Sequence, residues 1–275
     1  MADGVNVRSL FYEGILPQIH WETSARISPS PSRVAVVAQW SLSPIMSKSF
    51  AALVNSLFAR DYEVLIVSAC TDSQPLHFSE PLEGEPAIIR KPNIGYDFGS
   101  WAVGFLHQPQ IFSAERVLQV NDSLLGPFWN MDPIYDDFER DLGDAWGLVR
   151  NYQVTPHLQS YFIGYTADVL QAKVFQKFWT EVRVHADKQE IINNYELGLS
   201  RTLYGEGFVQ AAYIEPQLLR HSTLNPMISA WLQVLREGVP FLKRELITRP
   251  SVGVQGERIP ELLRREFDID IAEWC

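Results

Sequence analysis

The sequence predicts an α/β protein with a mostly parallel central sheet flanked by helices. Two patterns carry that expectation. From residue 33 onward, short apolar runs rich in β-branched residues alternate with stretches whose apolar residues recur at helical spacing, the signature of βαβ units and a sheet covered on both faces. The apolar runs also end in polar clusters, and in open α/β sheets ligands sit outside the carboxyl ends of the strands. With 275 residues and 46% apolar composition, the chain has enough material for one large core.

Each element follows in order. "RVAVVAQW" (33–40) reads as a strand, "SKSFAALVNSLFARD" (47–61) as an amphipathic helix and "YEVLIVSAC" (62–70) as a second buried strand, which together make a βαβ unit. A turn-rich stretch (71–86) leads to a third strand, "AIIRK" (87–91), and "SWAVGFLHQ" (100–108) begins a helix. "RVLQVNDS" (116–123) is a fourth strand. The clusters "QWS", "ACTDS", "NIGYD" and "NDS" all fall at strand carboxyl ends. The second half reads as a mixed edge: strands in "WGLVR" and "QSYFIGYTADVL", helices in "KVFQKFWTEVR" and "IINNYELGLSRTLYGEGF", a strand in "VQAAYI" and a late helix in "PMISAWLQVLREG". Two Ser-Pro steps at 27–33 disfavour helix and read as a linker. The expected division is an extension and linker over 1–32, the main domain over 33–247, and a polar tail over 248–275 with one amphipathic helix, "IPELLRREF".

Composition excludes several classes. A net charge of −10 argues against a nucleic-acid partner, which needs a concentrated Lys/Arg field. No apolar run of about 18 residues is present and the N-terminus lacks the pattern of a signal peptide, so the expected location is cytoplasmic. "SLFYEGILPQI" (9–19) offers a weak interfacial segment for peripheral attachment to the inner face of the membrane. Two cysteines, Cys70 and Cys275, give neither a disulfide framework nor metal-ligand spacing, and Cys70 reads as a buried thiol.

The densest chemistry lies in "KPNIGYDFGSW" (91–101), with Asn93, Gly95, Asp97 and Gly99 on alternate positions. Glycines there let the backbone approach an anion and tolerate positive φ, while Asp97 is placed to reach a hydroxyl or nucleobase. Packing of a strand-to-helix turn is the alternative reason for the same glycines.

"NIGYDFGSW", "NDSLLGP", "WGL", "HLQSYF", "YELGLSRTLYGEGF" and "NPMISAW...PFLKRE" together resemble, in order, the motifs of the rhamnan synthesis protein F family of bacterial glycosyltransferases, across residues 33–247. The resemblance implies a GT-A-like nucleotide-sugar-binding fold, a donor such as dTDP-L-rhamnose, and a growing polysaccharide or O-antigen glycan, free or lipid-linked, as acceptor. "NxGxxxGxNxG" of family 2 glycosyltransferases is more distantly similar, with Asn93, Gly95, Gly99 and Gly104 at corresponding steps. On this resemblance Asp72, Asn93, Gly95, Asp97, Gly99, Asn121, Asp122 and Ser123 form the donor side.

"VNDSLLGP" stands where GT-A enzymes carry Asp-x-Asp, whose carboxylates hold Mg²⁺ or Mn²⁺. Here only Asp122 is a carboxylate, and His221 is the other candidate ligand by analogy with a C-terminal metal-binding histidine. "NNYELGLSRTLYGEGF" is similar to "EDxDLSxRLxxxGY", which places Glu196 on the general base of an inverting transfer. Read alone, Glu196 is an ordinary helical glutamate near Arg201. His157, Gln159 and Trp101 are expected on the acceptor side, and Trp40 and Trp101 are candidates to stack on a sugar ring. An alternative reading, which the lone aspartate keeps open, is a catalytically silent relative that binds nucleotide sugar or glycan. A nucleotide-sugar hydrolase is the third.

Overall fold

The structure is a computed structural model and describes residues 9–219, 224–253 and 255–275. In chain order its strands are β1 (His20–Trp21), β2 (Arg33–Gln39), β3 (Ile45–Met46), β4 (Glu63–Ser68), β5 (His77–Phe78), β6 (Ala87–Arg90) and β7 (Arg116–Asn121). There follow β8 (Leu124–Leu125), β9 (Ala145–Asn151), β10 (His157–Leu158), β11 (Phe162–Thr166), β12 (Gln210–Ile214) and β13 (Leu242–Lys243). A nine-stranded sheet runs β1-β6-β4-β2-β7-β11-β9-β10, with β12 alongside β9. Its heart, β6-β4-β2-β7, is parallel, as the alternating sequence pattern predicts. Antiparallel β1 and β11 flank it, which makes the expected mixed edge. Two further pairs, β3 with β5 and β8 with β13, stand outside this sheet.

Side chains on successive strand residues point to opposite faces, and β2 shows what each face meets. Val34, Val36 and Ala38 join a core with α3 (Tyr96–His107), α6 (Lys173–Thr180) and α8 (Leu197–Gly205). Ala35 and Val37 join a second core, with α2 (Lys48–Phe58) and α4 (Asp132–Glu139). A strand buried on both sides has no polar face to show, which is why β2 reads as a continuous apolar run. Ser47 starts α2 by accepting a hydrogen bond from the Phe50 N–H.

Helix α3 begins at Tyr96, inside the glycine-rich stretch and ahead of the expected start at Ser100. Gly95 takes φ +84°, a left-handed conformation that turns the chain directly from β6 into the helix. "QSYFIGYTADVL" is a strand only to Thr166, then the short helix Ala167–Gln171, and "PMISAWLQVLREG" breaks at Ala230 into Pro226–Ser229 and Trp231–Arg236. The stretch 191–208 is not one helix either. A π-helical turn, Ile192–Glu196, joins the helix Lys188–Ile191 to α8.

The segments outside 33–247 pack against this body. α1 (Leu10–Ile15) buries Phe11 and Ile15, and β1 pairs with β6. At the other end the helix Ile259–Phe267 buries Ile259, Leu262 and Leu263 in a third core with Leu125, Trp231 and Leu242. Leu10 and Leu16 stay exposed, whereas the aromatic ring of "SLFYEGILPQI" best suited to a lipid surface, Phe11, is turned inward. Among the described residues no helix is long and apolar enough to cross a membrane.

The Phe11 ring lies directly over the glycine turn. A Cβ on Gly95 would stand 2.8 Å from its Cζ, and one on Gly99 would stand 2.9 Å from it and 3.0 Å from the Ile94 carbonyl oxygen. Gly99→Ala is therefore expected to destabilise the fold by about 1–3 kcal/mol, and Phe11→Ala by about 3 kcal/mol. In the double variant the Gly99 penalty should shrink, because the ring that the new methyl strikes is gone. Urea denaturation of the four proteins measures this; strictly additive losses would show that the two residues do not touch.

Candidate functional site

The site forms where the parallel strands end. β2 and β7 run side by side, so Ala38 faces Asn121, and the chain leaves them as Trp40 and Asp122. The Asp122 N–H donates to the Ala38 carbonyl at 3.2 Å, and its carboxylate accepts from the Trp40 N–H at 3.0 Å. Asn121 shapes the turn: its side-chain oxygen accepts from the Ser123 N–H at 3.1 Å and hydroxyl at 2.6 Å. Its amide donates to Asp97 Oδ2 at 2.8 Å, tying the first turn of α3 to the end of β7. β8 then pairs antiparallel with β13, Leu124 opposite Lys243. Arg244 closes the arrangement, its N–H donating to the Ser123 carbonyl and its Nε to that of Asp122.

Burial sets the charges here. Burial and the neighbouring Asp97 carboxylate push the Asp122 carboxyl up to about 7, against the Trp40 N–H and the Arg244 cation. Asp97 is also raised, chiefly by burial, although the Asn121 amide and the Lys91 and Lys188 cations oppose it. Lys91 is drawn down to about 8 by burial, and its ammonium donates to the carbonyls of Pro92 and Ile94. Lys243 is lowered by burial too, with Glu196 among the charges that oppose the shift and Lys188 adding to it. Asp97, Asp122, Glu196, Lys188 and Lys243 thus interact as one group of charges.

Glu196 closes the π-helical turn, a distortion that recurs at functional sites. Its carboxylate is held at four points. Oε1 lies 3.2 Å from His157 Nε2 and accepts from Gln159 Nε2 at 3.3 Å. Oε2 accepts from the Ser160 hydroxyl at 2.5 Å and, at 3.4 Å, from its N–H. Burial raises the Glu196 carboxyl, but the hydrogen bonds from His157 and Ser160, with the positive potential of His157 and Lys243, more than cancel this and leave it below the usual glutamate range. It is an ionised group at neutral pH. The preceding Tyr195 holds the turn: its hydroxyl accepts from the Arg183 N–H and lies 2.9 Å from His185 Nε2.

The structure changes several assignments. His157 and Gln159 are each 2% exposed and stand behind Glu196, so they orient the carboxylate and present no surface to an acceptor. Trp101 is fully buried, edge-on to Phe98, with its indole N–H on the Val120 carbonyl, and has no free face for a sugar ring. Trp40 is 48% exposed beside Asp122 and keeps that option. A Cβ at Gly95 or Gly99 would meet the Phe11 ring and one at Gly104 would meet Val36, so the packing of the strand-to-helix turn requires glycine at these positions. Asp72 caps its own loop by accepting from the Gln74 N–H, while Arg90 binds the Asp72 carbonyl from below. Asn93 is exposed at the rim. His221 lies outside the described residues.

Among the described residues the expected Mg²⁺ or Mn²⁺ finds a poor ligand set: no group of three His, Cys, Asp or Glu comes together to hold a metal. Of the two expected ligands, Asp122 supplies one carboxylate, which already accepts a backbone hydrogen bond, and His221 lies outside the described residues. A hard dication needs several oxygen ligands, and the described residues alone do not complete that set.

Lys243, Arg244, Lys188 and Ser160 take part without having been singled out from the sequence. Lys243 and Arg244 do stand in "PFLKRE", one of the stretches that carry the resemblance, and a Lys-Arg pair straight after an apolar strand is a legible signal. Ser160 likewise stands in "HLQSYF", another of those stretches, next to Gln159, while Lys188 carries no signal, since only the fold brings it near Asp97 and Lys243.

Because Asp122 is raised in the folded state, its protonated form is the one folding favours. The resulting penalty is absent at pH values below the ordinary carboxylate pKa, grows as pH rises toward about 7, and is complete above it. Asp122→Asn, which keeps the acceptor for Trp40, should stabilise the protein by about 1–3 kcal/mol at alkaline pH and have little effect in acid. Thermal melts across that range test this, and a gain of equal size in acid would contradict it.

Residues 79–272 match the family described as Rhamnan synthesis protein F. The virulence protein VirA of Vibrio anguillarum is 28% identical over 241 residues, covering 76% of this chain and 75% of that protein. An uncharacterised protein, y4gN of Sinorhizobium fredii, is 29% identical over 140 residues, 48% of this chain and 36% of its own length. Among solved structures, a glycosyltransferase involved in the glycosylation of the major capsid of PBCV-1 aligns with TM-score 0.37 and 12% identity over 76% of this chain and 93% of its own. The family match spans well over half of the chain and takes in the Asn121–Ser123 turn, Glu196 and Lys243: the chain belongs to the rhamnan synthesis protein F family.

Proposed function

We propose that the protein is a GT-A-like glycosyltransferase that moves a sugar, rhamnose from dTDP-L-rhamnose, onto a hydroxyl of a growing cell-surface glycan with inversion. The observation that carries this is Glu196: an ionised carboxylate oriented by His157, Gln159 and Ser160 and grouped with Asp97, Asp122 and Lys243 at the carboxyl end of a parallel sheet. Family membership supports the sugar. The acceptor is a glycan, free or lipid-linked.

In the transfer, the acceptor oxygen bonds to the anomeric carbon on the face opposite the leaving group. The bond from that carbon to the diphosphate oxygen breaks, and its electron pair stays on the diphosphate. The acceptor proton passes to Glu196. A base held below the usual glutamate range is weak toward a neutral hydroxyl, so proton transfer accompanies bond formation, when the hydroxyl has become acidic. Asn93, Asp97, Asn121, Asp122 and Ser123, with Asp72 further out, make the donor side. Their turns are fixed before substrate arrives, which is the preorganisation such chemistry requires.

Glu196→Gln keeps the size and hydrogen-bonding reach of the side chain but removes the basic lone pair. Turnover should fall by about 10²- to 10⁴-fold with dTDP affinity unchanged. Steady-state kinetics with calorimetry separates the two effects. Near-normal turnover, or an affinity loss in proportion to activity, would remove Glu196 as the base, while a wild-type protein that binds donor and never transfers it would be a silent relative.

A further inference from the structure

The poor metal ligand set leaves the charge of the leaving group unanswered, and the structure holds another source of positive charge. β13 carries Lys243 to a position opposite Leu124, two residues past Asp122. Its side chain is half-buried, with the ammonium 5.0 Å from the centroid of the Tyr161 ring. Among the described residues that ammonium makes no hydrogen bond and no ion pair of contact distance, and neither does Lys188. Arg33, Arg60, Arg90, Arg116 and Arg150, by contrast, each meet a carboxylate. A half-buried ammonium with no carboxylate in contact costs free energy in the unliganded protein, and with the exposed Lys188 acting on it it is what a polyanion needs.

A second observation points to a ligand at the same place. The Tyr161 hydroxyl and Gln159 Oε1 are buried with no hydrogen-bond partner, and buried polar atoms are rarely left so. The Tyr161 ring lies under the Lys243 ammonium and Gln159 donates to Glu196, so both orphaned atoms belong to side chains that touch Lys243 or Glu196.

We propose that Lys243, with Lys188 beside it, holds the departing nucleoside diphosphate, in the role that a carboxylate-bound divalent cation would otherwise fill. This rests on the glycosyltransferase reading above. Lys243 is a point charge with three donors placed next to the turn that carries Asp122, and Arg244 fixes that turn from the same strand end. When the anomeric bond breaks and the electron pair moves to the diphosphate, the ammonium groups stabilise the charge that develops, with no reorganisation needed.

The test is calorimetric titration of the full-length protein with dTDP, UDP and GDP, in EDTA and again with Mn²⁺. At least one nucleotide should bind in EDTA, with an affinity that Mn²⁺ changes little. Lys243→Met should weaken that binding by about tenfold or more, and Lys243→Arg should restore most of it. Since the free ammonium is desolvated and unpaired, Lys243→Met should leave the melting temperature unchanged or raise it, whereas a merely structural lysine would lower it. Binding that appears only with Mn²⁺, or that survives Lys243→Met intact, would overturn the assignment and leave the glycosyltransferase reading standing. Failure of all three nucleotides under both conditions would bring down that reading and this one together.

Discussion

The two-residue pairing of β8 with β13 is the contact on which the site depends. It joins chain segments more than a hundred residues apart. On one side of it Leu125 and Leu242 enter the third core, which the C-terminal helices complete. On the other, Arg244 grips the carbonyls of Asp122 and Ser123, and Lys243 comes up beside Glu196. A ladder this short has little stability of its own. The apolar side chains packed beneath it supply what the hydrogen bonds cannot, so the C-terminal core is part of how the charged groups are held.

The same logic explains the free-energy state of the site. Asp97 and Asp122 are raised and Lys91 and Lys243 lowered, each first of all by burial. Charged groups are left incompletely satisfied in one small region, while Arg33, Arg60, Arg90, Arg116 and Arg150 are each paired with a carboxylate. Stability has been given up locally, as it commonly is where a protein must bind and act on something.

Much of this was legible in the sequence, for identifiable reasons. The parallel heart was readable because strands buried on both faces are uniformly apolar, and the polar clusters marked their carboxyl ends. Glu196 stands out through the resemblance of its stretch to the family 2 pattern, and the structure sets its carboxylate among His157, Gln159 and Ser160. What could not be read was depth. His157 and Gln159 lie in the right neighbourhood but behind the carboxylate, and Trp101 lies in the core, because burial is decided by what packs on top and not by local pattern. The packing partner of the glycines was hidden as well, since nothing local reveals that a phenylalanine eighty-four residues upstream of Gly95 lies over them. The π-helical turn was also hidden, because its residues are ordinary helix formers.

That phenylalanine bears on what the smallest working piece of this protein is. Phe11 rests on the turn that aims Asp97 at Asn121, and β1 covers the edge of the sheet on β6. A fragment cut at the Ser-Pro steps would keep every residue named in the site, yet it would expose an open sheet edge and leave a hollow under the first turn of α3. Its candidate site would be assembled from the right parts on a loosened mount. Residues 9–32 thus belong to the machinery by position, although none of them is a chemical participant.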